Sequence, residues 1–97
     1  MSCKYSSVII KTSSKPDKKL MAIFDNGKKT IHFGAAGMDD FTKTKDKQQK
    51  ERYLTRHKKN ENWMICNTAG SLSRWILWNK ESKQASISDY KKRFKLK

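Results

Sequence analysis

An α+β fold, with a small three-stranded antiparallel sheet at the N-terminus covered by two to three C-terminal helices, follows from three features of this 97-residue chain. Short β-branched and aromatic runs crowd residues 5–33, and Asn26-Gly27 separates two of them. After residue 43 the apolar residues recur at helical spacing instead. One domain is expected over 1–97, with a β meander at 1–37, a helical part at 43–97 and flexible ends at 1–3 and 95–97.

Tyr5–Ile10, with Val8, Ile9 and Ile10 at its centre, reads as the first strand, and Ser13-Ser14-Lys15-Pro16-Asp17 carries turn chemistry. Leu20–Phe24 and Lys29–Phe33 read as the second and third strands. Asn26-Gly27 suits a two-residue type I′ turn, which needs φ above zero twice. That turn pairs Phe24 with Lys29, Ala22 with Ile31 and Leu20 with Phe33. Side chains alternate along a strand, so Leu20, Ala22, Phe24, Ile31 and Phe33 share one face. So small a sheet is marginal in water and needs cover. Gly34-Ala35-Ala36-Gly37 closes the sheet region.

Asp46, with Gln49 three residues on, forms a capping-box-like pair ahead of a helix predicted over Lys47–Lys59. Its apolar stripe is thin: Tyr53, Leu54, His57 and the stem of Lys50. Asn60-Glu61-Asn62 breaks the periodicity. Thr68 caps a second helix through about Asn79, where Leu72, Trp75, Ile76 and Asn79 follow the i, i+3, i+4, i+7 spacing. Leu77 and Trp78 widen that face until the helix is apolar nearly all round, the mark of a buried element. Ser82 or Ser86 caps a third helix carrying Ile87, Tyr90 and Phe94. Lys91, Lys92 and Arg93 sit near its C-terminal end, where the helix dipole favours cations.

Charge carries the functional signal. Twenty-three Lys and Arg against nine Asp and Glu leave a net +14 and a pI near 10. Such an excess repels itself on folding and answers to a polyanion, of which nucleic acid is the commonest. Three Trp, four Phe and three Tyr set the chain apart from a disordered basic tail. Phosphate contacts are expected from Lys47, Lys50, Arg52, Arg56, Lys58 and Lys59, with Lys91, Lys92 and Arg93 secondary. Trp63, outside the helices, is the candidate for an exposed ring that stacks on a base. Lys far outnumbers Arg, and a Lys is a point charge rather than a base-reading fork. Binding led by the phosphate backbone and tolerant of sequence is therefore expected. Nucleic acid, DNA rather than RNA, is the expected partner, although lysine content by itself does not separate the two. A second reading is a structural protein that contacts other proteins through an apolar patch including Trp63 and Phe41.

Enzymatic and metal chemistry find little support. His32, His57, Cys3 and Cys66 lack zinc-ligand spacing, and the adjacent Asp39-Asp40 pair reads as solvated or capping. Neither a P-loop nor a nucleophile elbow is present. No catalytic activity, cofactor or metal is expected. Two distant cysteines without a framework suggest a reducing, intracellular setting, and neither a signal peptide nor a membrane span is read from the chain.

Several strings carry a resemblance. They are Thr30-Ile31-His32-Phe33-Gly34, Asp40-Phe41-Thr42, Lys50-Glu51-Arg52-Tyr53 with Arg56-His57 and Trp63, the run Thr68 to Lys80, and Ser86 to Phe94. Together they resemble a family of small basic proteins of giant and algal large double-stranded DNA viruses, over roughly residues 19–94. One departure is Glu81, where that pattern often has Pro after Asn79-Lys80. The resemblance implies a virion or a host cytoplasmic virus factory, with other virion proteins as further partners. It brings no catalytic residue with it.

Overall fold

A computed structural model describes residues 3–97. Strands β1 (Val8–Thr12), β2 (Lys18–Phe24) and β3 (Lys29–Ala35) form one antiparallel sheet in that order. The helices follow: α1 (Phe41–Thr44), α2 (Lys47–Lys58), α3 (Ala69–Leu72), a wider π turn (Ser73–Leu77) and α4 (Lys83–Phe94). The chain thus has the α+β architecture that its patterning predicts. The sheet buries Val8, Leu20, Ala22, Phe24 and Phe33, and the helices bring Leu72, Ile76, Tyr90 and Phe94 into the same core.

The hairpin register is the expected one: Phe24 lies opposite Lys29, Ala22 opposite Ile31 and Leu20 opposite Phe33. Its turn is not. Asp25, Asn26 and Gly27 all take positive φ (48°, 59° and 103°), and the loop is closed by Lys28 N–H donating to Phe24 O at 3.0 Å. The two-residue turn gives way because Asp25 has other partners. Its Oδ1 accepts from the N–H groups of Ser6 (2.8 Å) and Ser7 (3.0 Å), while its own N–H donates to Ser7 O. Those two backbone donors hold the Asp25 carboxyl below its ordinary range. The hairpin is thereby stapled to the segment before β1, which starts at Val8 rather than at Tyr5.

Thr68 caps α3 by accepting from Ser71 N–H, as expected, but the helix does not continue as a regular one. Trp78 N–H reaches back five residues to Ser73 O at 3.0 Å. Trp75, Ile76, Leu77 and Trp78 are all buried, so this segment is enclosed on nearly every side, as its all-round apolar character requires. The turn comes so close to β3 that a Cβ at Gly34 would lie 2.7 Å from Leu77 Cδ1, and Gly34 also has φ +78°. Of the two candidate caps of α4, Ser82 accepts from Ala85 N–H, whereas buried Ser86 bonds Lys80 N–H.

Two expectations about the ends need correction. Residues 95–97 are tied down: Lys97 N–H donates to Ser6 O, Val8 N–H donates to Lys97 O, and Leu96 is buried. Cys3 is joined to Cys66 by a disulfide, with Cα atoms 5.6 Å apart. The bond corrects the reading of the two cysteines as unbridged, and with it the ground for a reducing setting. Nothing local predicts it, because only the tertiary path of the segment pinned by Asp25 brings position 3 beside position 66. The rest of the flexible end expected at 1–3, residues 1 and 2, lies outside the described residues. Among the described residues, no helix is long and apolar enough to cross a membrane.

Candidate nucleic-acid interface

Helix α2 starts where its cap dictates. Asp46 Oδ1 accepts from Gln48 N–H (3.0 Å) and Gln49 N–H (3.1 Å). The reciprocal half of the capping box is absent, since the Gln49 side chain accepts from the Thr44 hydroxyl instead. Only Tyr53 is buried on this helix. Its ring is stacked between those of His57 (4.2 Å) and Trp78 (4.3 Å), and burial pushes its hydroxyl up to about 12.

Successive helical residues are turned by about 100°, so the predicted cations of α2 separate into groups. Arg52 and Arg56 lie roughly 40° apart, with Lys59 just beyond the helix beside Arg52. Lys47 and Lys58 lie about 20° apart on the opposite edge. All five are exposed. Lys50 is not among them, which corrects its assignment as a phosphate contact. It faces the core, its Nζ donates to Asn79 O at 2.7 Å, and it sits 4.8 Å over the Phe41 ring. Burial lowers the pKa of its ammonium, and the Arg74 and Lys80 charges add to the effect.

The secondary cluster is also divided. Lys92 is exposed and Lys91 half-buried. Arg93 donates to Asp89 Oδ2 at 2.6 Å and lies 4.1 Å from the Trp75 ring, so it is engaged within the fold. Trp63 is no free platform either. It is half-buried against the core, Arg74 stands 5.3 Å from its ring, and its buried Nε1 has no protein partner. Its carbonyl accepts from Trp75 Nε1 at 2.8 Å. Phe41, proposed for an apolar patch, is buried; the exposed neighbours of Trp63 are Met64 and Ile65.

The Arg52–Arg56 edge overlooks a trough with Trp78 on its floor and exposed Met38 on its rim. Beyond Arg56 lies a cleft of about 380 Å³ between the end of β3, α2 and α3. Its acids already have partners. Asp40 accepts from Lys19 Nζ, the Thr42 hydroxyl and Lys43 N–H. Burial pushes the Asp40 carboxyl up, but those donors outweigh it and hold the group below its ordinary range. Glu61 Oε1 accepts from His57 Nδ1 at 2.9 Å, and its carboxylate lies so close to Gly70 that a Cβ there would collide with it. Lys18 and Arg56, which also line the cleft, take part in none of the ion pairs among the described residues. The i, i+4 spacing of His57 and Glu61 was readable in the sequence. Lys18 and the cleft itself were not, because strand and helix meet there only in three dimensions.

The class defined by these observations is a small α+β module with one cationic helix edge beside an aromatic-floored cleft. A family model described as "Family of unknown function (DUF5754)" matches residues 8–57, half of the chain, and the chain belongs to that family. The match covers the sheet, α1 and most of α2, including Arg52 and Arg56. No curated protein and no solved structure matches the chain.

Proposed function

We propose that this protein binds nucleic acid through the phosphate backbone, with little regard to sequence and without catalysing a reaction. The observation that carries this reading is the uncompensated Arg52–Arg56–Lys59 edge on a chain of net charge +14. Of the four ion pairs among the described residues, only three involve Lys or Arg, against twenty-three such residues in the chain. Most of the positive charge is thus left for an external polyanion. DNA is the partner we favour, and the setting we propose, on the viral resemblance, is a virion or a virus factory. Lys47, Lys58 and Lys92 supply secondary phosphate contacts.

Electrophoretic mobility shift across a salt series tests the proposal. If roughly 6–10 phosphates are engaged, affinity should fall by about 10³–10⁵ between about 50 and 200 mM salt. Replacing Arg52, Arg56 and Lys59 together by Ala should weaken every probe alike and flatten the salt slope, leaving the melting temperature unchanged. Absence of binding at about 50 mM salt would overturn the proposal. Exposed Met64 and Ile65 favour the second reading, a protein-contacting role. That reading predicts association with protein partners that persists at high salt.

A further inference from the structure

We infer that the cleft beside Arg56 accepts one unpaired base of a bound strand, so that the protein prefers single-stranded nucleic acid to duplex. The inference rests on the phosphate-binding reading above and names the form of nucleic acid that the same surface takes.

The first argument is shape. About 380 Å³ falls at the low end of the roughly 300–1,000 Å³ of small-molecule sites. Phe33, Leu77, Tyr53 and Trp78 give the cleft an apolar and aromatic lining. Ala35 puts only a methyl group on its wall, while Leu77 packs against Gly34 and the Glu61 carboxylate against Gly70.

The second argument is electrostatic. Acids lining the cleft would repel a phosphate, but Asp40 is held by Lys19 and Asp39 lies 3.6 Å from Lys43, while the Glu61 carboxylate accepts a hydrogen bond from His57. Lys18 and Arg56 take part in no ion pair among the described residues, and Arg52 continues the positive edge along the adjoining trough. Apolar space beside Lys18 and Arg56 matches the two halves of a nucleotide, a base and its phosphate. The polar groups of His57 and Glu61 meet the edge of whichever base enters, which sets no strict sequence. A base within a duplex is paired and stacked, and must be extruded at a cost before it can enter; a base in a single strand need not be.

Fluorescence anisotropy at about 50 mM salt tests this with three labelled probes: a short single strand, a strand of equal length with abasic sites throughout, and the duplex. The base-bearing strand should bind about ten-fold tighter than the abasic one, the lower part of the range for base–aromatic contact, because the Tyr53 ring is already covered on both faces by His57 and Trp78. Ala35→Phe, an exposed position on the cleft wall, should erase that difference while abasic-strand affinity and the melting temperature stay unchanged. Equal binding of base-bearing and abasic strands by the native protein, with the salt slope intact, would overturn the cleft inference and leave the phosphate reading standing. An undiminished base preference in a folded Ala35→Phe protein would overturn the location. Failure of all three probes to bind would overturn the phosphate reading, and this inference with it. If Ala35→Phe fails to fold, the native protein's base-to-abasic ratio and the quenching of its tryptophan fluorescence by the base-bearing strand alone still decide the matter.

Discussion

Helices α2 and α4 look interchangeable on paper and behave differently in the fold. Each is twelve residues long, each begins at a side-chain cap, and each carries three basic side chains in its last turn. Yet α4 buries Ser86, Tyr90 and Phe94, and Tyr90 Oη donates to Cys66 O at 2.6 Å across the core. Helix α2 buries Tyr53 alone. The cations divide accordingly: Arg93 of α4 is held by Asp89 and Trp75, whereas Arg52 and Arg56 of α2 take part in no ion pair among the described residues. Similar composition thus serves anchoring in one helix and an outward charge in the other. What separates them is how many large apolar side chains fall on one face.

The comparison can be broken most decisively in the core. Phe94→Ala should cost about 3–5 kcal/mol in denaturant unfolding, since Phe94 is fully enclosed. The Arg52, Arg56 and Lys59 alanine triple should change stability by no more than a few tenths of a kcal/mol per site, because all three are exposed. Equal losses for the two variants would show that α2 is as much a structural element as α4.

Acid should sharpen the contrast. Burial pushes the Asp89 carboxyl up, but hydrogen bonds from Arg93 and Asn79 outweigh it and hold the folded value below the ordinary 3.8. A lowered carboxylate stabilises the fold fully above the unfolded value and loses that contribution as pH falls through it toward the folded value. The α4 attachment should therefore weaken below about pH 4. Melting curves between about pH 6 and 2 should show a shallower acid limb in Asp89→Asn, which starts from a lower plateau. An unchanged slope would mean that Asp89 is not coupled to folding.

The smallest effect concerns the helix starts. Asp46→Ala and Ser82→Ala should each cost about 1 kcal/mol, because each removes a side-chain acceptor for first-turn N–H groups. Since α2 has less burial to hold it, Asp46→Ala should in addition raise amide exchange along α2, whereas Ser82→Ala should leave exchange at Tyr90 and Phe94 slow. Uniform exchange in the two variants would remove the distinction.

Much of this was legible before any coordinates. The caps at Asp46 and Thr68 were readable, and that of α4 was narrowed to Ser82 or Ser86, because a cap is a contact between near neighbours in sequence. So was the hairpin register, although the turn that enforces it was mistaken: Asn26-Gly27 looked self-sufficient, and Asp25 turned out to answer to Ser6 and Ser7. The candidate site was read less well. Lys50 was chosen for its charge although its stem lies on the apolar stripe, and Trp63 because it lies outside the helices. The first reaches Asn79, 29 positions away, and the second packs under Arg74. Neither partner could be assigned from spacing.

Periodicity and net charge alone determined the order of strands and helices, the apolar face of the sheet and the presence of a large cationic excess, because each depends on residues a few positions apart or on a plain sum. The tertiary structure decided which cations remain outward, which aromatic rings are enclosed, that Cys3 meets Cys66, and that an apolar cleft opens beside Arg56. Those outcomes turn on contacts between distant segments. Their formation follows from how the whole core closes, and no local pattern encodes it.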